Sequence, residues 1–330
     1  MHLLLAATLI LPSSGVRLRS LLAHPTAKWA LDSGHAEPQR PHKLAWFHPP
    51  ASATSFGATL LHYANASLPR GEGAALLKNW EAFWRRYPLE TWFRDGLWHE
   101  DCDHAAVTHD VYQEFEGHFA GLFRRPRSRI ASRYVPGRGL SVTEYAARAN
   151  GTVALQLAGQ AMGEEYVMFP NFKYCSEFLA AEGNAPPAHL KVALHRLREG
   201  FMFVGLVEQF DLSVCLFHAM FGGECLPVEF ENMRPRGALK RSLPESEHLH
   251  DVDQALYDLA VKRFWADVKA HGVHRRLCQK LCANASHIFQ GEEASPSAAG
   301  AHHFVAALQE HPEYDWSGRW VLDDDGDVGQ

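Results

Sequence analysis

The sequence carries no surplus of positive charge: 32 Lys and Arg stand against 38 Asp and Glu, a formal net charge of −6. A global attraction to nucleic acid is therefore excluded, and any contact with a polyanion has to be local. Near the N-terminus there is no apolar run of bilayer length. Leu3–Leu11 is apolar apart from Thr8, and it is too short to span a membrane. No Gly-x-x-x-x-Gly-Lys-Ser/Thr occurs, which disfavours a kinase or other nucleoside-triphosphate enzyme. Internal repeats are missing. The six cysteines, at 102, 175, 215, 225, 278 and 282, lack the repeated close spacing of a zinc ribbon. The acidic end, Asp323-Asp324-Asp325-Gly326-Asp327, does not complete a calcium loop and reads as a solvated tail.

What is present suffices for a substantial core. The chain has 330 residues, 46% hydrophobic and 21% charged, enough for two average domains or one large α/β domain. Residues 1–41 read as a leader and linker. Leu3–Leu11 followed by Pro12-Ser13-Ser14-Gly15 suits the hydrophobic part of a secretory signal or an anchor, although a positively charged start is missing. Residues 42–285 read as the main domain, and 286–330, rich in Gly, Ala, Ser and Pro, as a C-terminal extension. Acceptor sequons at Asn65, Asn150 and Asn284 are compatible with a lumenal protein. An even cysteine count permits three disulfides in fifteen pairings. Cys278 and Cys282, four apart in a helical pattern, share a face, so structural thiols or disulfides are read before metal.

The densest local signal is Phe119–Tyr134, FAGLFRRPRSRIASRY. Phe119–Phe123 is long enough for one buried strand. It stops at Arg124-Arg125, and Pro126 sits where the first helical turn accepts a residue without an N–H. Five arginines fall between 124 and 133. A strand-to-helix turn of this kind binds phosphate, because free N–H groups and the helix dipole both favour an anion. Ser128 and Ser132 share one helical face, Ile130 and Tyr134 another. Earlier, Lys43–His48 predicts a first strand, ended by Pro49-Pro50. Ala51–Phe56 is then a turn of small residues before a helix over Gly57–Ala66, the general arrangement of a phosphate-cradling loop.

Further helices are expected at Leu76–Tyr87, Ser141–Ala149 (with Ser141 and Glu144 as a capping box), Ala188–Glu199, Asp211–Phe221 and Asp251–Ala270. Thr152–Met162 reads as short helical pieces. Phe201–Val207 is nearly all apolar, the pattern of a strand buried on both faces. Trp98–His104 is rich in His and Asp. His99, Cys102 and His104 could ligate a metal, but no fourth ligand is placed. An imidazole there suits a base near neutral pH.

Arg124, Arg125, Pro126, Arg129, Ser132 and Tyr134 together resemble the segment with which sulfotransferases hold the 3′-phosphate of 3′-phosphoadenosine 5′-phosphosulfate. The string FVGLVEQFDLSVCLF, with Val204, Gly205, Leu206, Glu208, Phe210 and Ser213, resembles the strand-to-helix segment of the glycan-type members. Pro50, Thr54, Ser55 and Phe56 fall on the family's 5′-phosphosulfate loop, with Ala51 where the family has lysine and Ala53 where it has glycine. The resemblance implies a three-layer α/β domain around a central parallel sheet, the P-loop-like sulfotransferase fold. It implies transfer of a sulfonate from that donor to a hydroxyl of a carbohydrate, in the Golgi lumen or membrane, with no metal and no nucleic acid. Any membrane association would run through the leader. By the same resemblance, Pro50, Ala51, Ser52, Ala53, Thr54, Ser55 and Phe56 face the 5′ end, and Arg124 and Ser132 the 3′-phosphate. Arg236, Gly237 and Lys240 would close over the nucleotide. His104 is the first candidate base, with His99, His109 and Asp103 behind it. Glu208 is read as pairing with an arginine or as chemical. The alternative is a protein that kept the fold, lost the lysine and only binds nucleotide or sulfated glycan.

Overall fold

In the computed structural model the described residues are 44–64, 106–134, 139–160, 162–169, 172–179, 187–232, 252–290, 314–315 and 319–320. They belong to one compact unit, Pro38–Gln330; a second unit, Met1–Glu37, lies outside them, as do the helix expected at Leu76–Tyr87 and the basic loop around Arg236.

Strand β2 (Phe119–Phe123) is the middle of a three-stranded parallel sheet, flanked by β1 (Ala45–Phe47) and β5 (Phe201–Leu206). All five of its residues are buried, as expected of a strand with neighbours on both edges and helices on its faces. The register pairs Ala45 with Phe119 and Phe123 with Leu206. It slips between Phe119 and Ala120, which pair with Phe201 and Phe203, so β5 carries one extra residue there. Phe201 and Phe203 would share a face of a regular strand. The slip sends Phe201 towards Phe47, Phe119 and Phe123, and Phe203 towards Phe56, Phe217 and Phe221. Aromatic clusters therefore grow on both sides of a narrow sheet.

Helices α1 (Gly57–Ala64) and α7 (Phe210–Phe221) cover the Phe203 side through Phe56, Tyr63 and Phe217. On the other side, Tyr112 and Phe115 of α2 (His109–Phe115) meet Phe119. Close approach decides one glycine. A Cβ on Gly205 would lie 2.8 Å from Leu122 Cγ and 3.1 Å from Ser213 Cβ, so β5, β2 and α7 meet there only without a side chain. Ser213 Oγ then accepts from the Leu206 N–H at 3.0 Å and donates to the Leu206 carbonyl at 3.1 Å, tying α7 to the end of β5.

Around this centre run α3 (Pro126–Arg133), α4 (Val142–Ala149), α5 (Thr152–Leu157), α6 (Pro187–Gly200), α8 (Asp253–Ala270) and α9 (Arg275–Leu281). Pro126 opens α3 as expected, and Ser141 and Glu144 form the capping box of α4. The helical reading of Thr152–Met162 needs correction. The helix ends at Leu157, and Met162 starts β3 (Met162–Phe169), paired antiparallel with β4 (Phe172–Leu179). A short pair, β6 (Tyr314–Asp315) and β7 (Arg319–Trp320), lies near the C-terminus. A 3₁₀ helix, Ala283–Phe289, crosses the boundary expected at 285, and Phe289 is buried in the main core.

Two disulfides join α7 and the turn after it to the α9 region: Cys215–Cys278 and Cys225–Cys282. The shared face of Cys278 and Cys282 is thus a double staple. They suit an oxidising, secreted-type compartment. Among the described residues no helix is long and apolar enough to cross a membrane. Beside the second disulfide, Nε2 of the buried His218 meets Glu229 Oε2 at 2.8 Å, and Glu229 Oε1 accepts from the Leu226 N–H at 3.0 Å.

Candidate functional site

Parallel pairing places the C-terminal ends of β1, β2 and β5 along one edge of the sheet, where open α/β folds collect their ligands. The residues that follow the three strands are His48, Arg124 and the segment Val207–Gln209.

After β1 the chain turns sharply. The Ser52 N–H donates to the Pro49 carbonyl at 3.1 Å, and the Phe56 N–H to the Ala53 carbonyl at 2.8 Å. Between these two turns Ala51 and Ala53 take left-handed backbone, with φ of +57° and +50°. Left-handed backbone at two alanines is strained, and such strain collects at functional turns. Ala53 is also the N-cap of the 3₁₀ helix Thr54–Phe56, which runs straight into α1. A left-handed residue followed by right-handed ones makes a concave nest of N–H groups. Among the described residues, the N–H groups of Ala53 and Thr54 find no acceptor. Ser52 is buried, its Oγ 3.5 Å from the Pro50 carbonyl. The ring of Phe56 is buried against Phe203, so its side chain anchors the loop to the sheet.

Arg124, at the end of β2, reaches across to this loop. Its Nη1 donates to the Ala51 carbonyl at 3.0 Å, over 73 residues of sequence. Arg125 is the N-cap of α3, and its N–H donates to Glu208 Oε1 at 3.0 Å. Glu208 Oε2 accepts from the Tyr257 hydroxyl of α8 at 3.2 Å. Burial raises the Glu208 pKa, and the Arg125 N–H, with Arg124 and Arg125 as cations, works against that rise. Glu208 thus holds the start of α3 to α8. Three residues on, in the first turn of α7, burial pushes Asp211 up to about 7.

His48, which the sequence reading passed over, stands at the same edge. Its ring stacks on Trp46, its Nε2 lies 3.5 Å from Thr54 Oγ1, and its carbonyl accepts from Gln156 Nε2 at 3.1 Å. A histidine directly after a strand and six residues before a threonine was the available signal. Tyr257 and Gln156 had none, because they arrive from helices 49 and 108 residues away in sequence.

The arginine helix divides its work. Arg129 is buried, and its Nη2 donates to Asp253 Oδ2 at 2.9 Å and to the Ala149 carbonyl at 3.0 Å. Asp253 in turn accepts from the N–H groups of Val153 and Ala154, capping α5, whose own N-cap Gly151 has no side chain. This arginine of the expected anion motif is therefore a structural bolt. Ser132 stays on α3, half-buried, two turns beyond Arg124. His109 is exposed at the start of α2. His104, His99, Asp103, Arg236, Gly237 and Lys240 lie outside the described residues.

The loop thus offers backbone N–H donors of the kind that suit an anion, and the Arg124 guanidinium is bonded to its Ala51 carbonyl. Among the described residues no group of three or more His, Cys, Asp or Glu could hold a metal ion. Comparisons with protein-family models, with curated proteins and with solved structures give no match.

Proposed function

We propose that this chain is a sulfotransferase of the P-loop-like, three-layer kind. It would move a sulfonate from 3′-phosphoadenosine 5′-phosphosulfate to a carbohydrate hydroxyl in the secretory pathway, with the Golgi as its place of work. The observation that carries the reading is the bond from Arg124 to the Ala51 carbonyl. It brings the small-residue loop and the arginine turn, two segments read separately as anion sites, to one edge of one parallel sheet. The left-handed backbone at Ala53, where the family pattern has glycine, supports it further.

The chemistry is an in-line displacement at sulfur. The acceptor oxygen bonds to sulfur and its proton passes to a base, for which His104 is proposed. The bond from sulfur to the 5′-phosphate oxygen breaks, with its electron pair leaving on that oxygen. Loop N–H groups and Thr54 would hold the 5′ end, Ser132 with the arginine turn the 3′-phosphate, and Arg236, Gly237 and Lys240 the closing side. Preorganised donors act strongly because they need no rearrangement as charge develops.

The test is transfer of labelled sulfonate from the donor to a panel of glycans, alongside calorimetric titration with adenosine 3′,5′-bisphosphate. Transfer to at least one glycan is expected. Tight bisphosphate binding without transfer, unchanged by Ala51→Lys, would replace the enzyme with a binding protein. Preference for ATP would reject both.

A further inference from the structure

We infer that Arg124 supplies, at the loop after β1, the positive charge for which sulfotransferases use a lysine. The inference rests on the sulfotransferase reading and changes what one residue does in it. By resemblance Arg124 belongs to the 3′-phosphate, while the loop position that should carry the cation is Ala51, a methyl group.

Ala51 and Arg124 are directly joined. The guanidinium donates to the carbonyl of residue 51 itself at 3.0 Å, so a permanent positive charge stands at the residue whose side chain has lost one. A guanidinium has five N–H donors in a rigid fork, and a bond to a neutral carbonyl does not cancel its charge. The other candidate at this edge, His48, has its ring buried against Trp46, with 4% of the residue exposed. The neighbouring Arg129 is neutralised by Asp253 inside the helical layer. Arg125 offers its backbone N–H to Glu208 at the start of α3. Among the described residues, Arg124 is the cation whose side chain bonds the loop, and the Glu208 carboxylate is close enough to feel its charge.

In the transfer step the 5′-phosphate oxygen gains the electron pair of the breaking sulfur–oxygen bond. A cation beside that oxygen stabilises the developing charge, and removing a stabiliser of this type costs ~100-fold or more in turnover. Placing Arg124 there makes a specific pattern of loss and rescue.

The experiment uses the full chain, its Arg124→Ala variant, and the double variant Arg124→Ala/Ala51→Lys. Each is assayed for labelled sulfonate transfer, and for inhibition by adenosine 3′,5′-bisphosphate against adenosine 5′-phosphate. Arg124→Ala should lower kcat ~100-fold, and adding Ala51→Lys should recover at least about tenfold of that. The preference for the bisphosphate over the monophosphate should survive in both. Should Arg124→Ala melt early, Arg124→Gln, which keeps an N–H for the Ala51 carbonyl, is judged by the same pattern. Loss of the bisphosphate preference without rescue by lysine would overturn the inference and return Arg124 to the 3′-phosphate. Wild-type binding of bisphosphate with no transfer would also overturn it, leaving the nucleotide site standing. Wild-type protein that neither binds nor transfers would remove the sulfotransferase reading itself, and this inference with it.

Discussion

Ala53 shows how much a single backbone angle can say. Left-handed backbone costs an L-residue roughly 1–2 kcal/mol, while a glycine gives back roughly 0.5–1 kcal/mol through its freer unfolded chain. Ala53→Gly should therefore stabilise the protein by about 0.5–1 kcal/mol, seen as a melting temperature higher by about 2 °C. A lower melting temperature would mean that φ of +50° is not the ground state of this loop. Asp211 offers a second single-residue prediction. Its carboxyl ordinarily titrates at 3.8 and is pushed up to about 7 by burial. The folded state then holds a proton that the unfolded chain releases, so this contribution to stability is complete below pH 4 and is lost as pH rises to 7. Urea midpoints should fall across that window in the wild type and fall less in Asp211→Asn. Equal slopes would place the carboxylate in water.

At the scale of elements, the turn beyond β2 and the start of α8 act as one unit. Arg129 and Asp253 pair in the interior, and Asp253 also caps α5. Removing one partner leaves a buried charge uncompensated, which costs roughly 3–5 kcal/mol. Asp253→Ala should lose about that much by urea unfolding and should fray α5, read as faster amide exchange at Val153 and Ala154. Unchanged exchange there would show that the cap is unnecessary. Nothing in the sequence joins residues 129 and 253, because the pair forms over 124 positions. What was legible is local. Apolar runs marked β1, β2 and β5, Pro126 marked the start of α3, and Ser141 with Glu144 marked α4. The β3–β4 hairpin was not read, since Met162–Phe169 begins with Met-Gly-Glu-Glu and lacks a clean alternation at its start. At the candidate site, the loop and the arginine turn were each legible from composition. Their junction through the Ala51 carbonyl was not, because a bond to a backbone oxygen leaves no trace in side-chain identity.

For the whole molecule, the same limit applies to the cysteines, and their geometry leads to the last prediction. The spacing placed Cys278 and Cys282 on one face but left the pairing open. The structure pairs them with Cys215 and Cys225, closing loops with sequence separations of 63 and 57. These loops overlap, so the bridges are not independent. With Cys215–Cys278 in place, the second bridge closes only the short circuit from Cys225 back to Cys215 and on from Cys278 to Cys282. A circuit of about 15 residues restricts the unfolded chain by about 3 kcal/mol, against about 4 kcal/mol for a first bridge over a loop near 60. Each bridge alone is therefore worth about 3 kcal/mol while the other stands, and the two together about 7 kcal/mol. Folded domains have roughly 5–15 kcal/mol in all. Paired Cys→Ser variants lacking one bridge should fold and melt cooperatively at lower temperature. The variant lacking both should be largely unfolded at 37 °C by circular dichroism. A native melt for the protein without either bridge would show that the aromatic clusters on the two faces of the sheet suffice. The staples would then serve something other than stability.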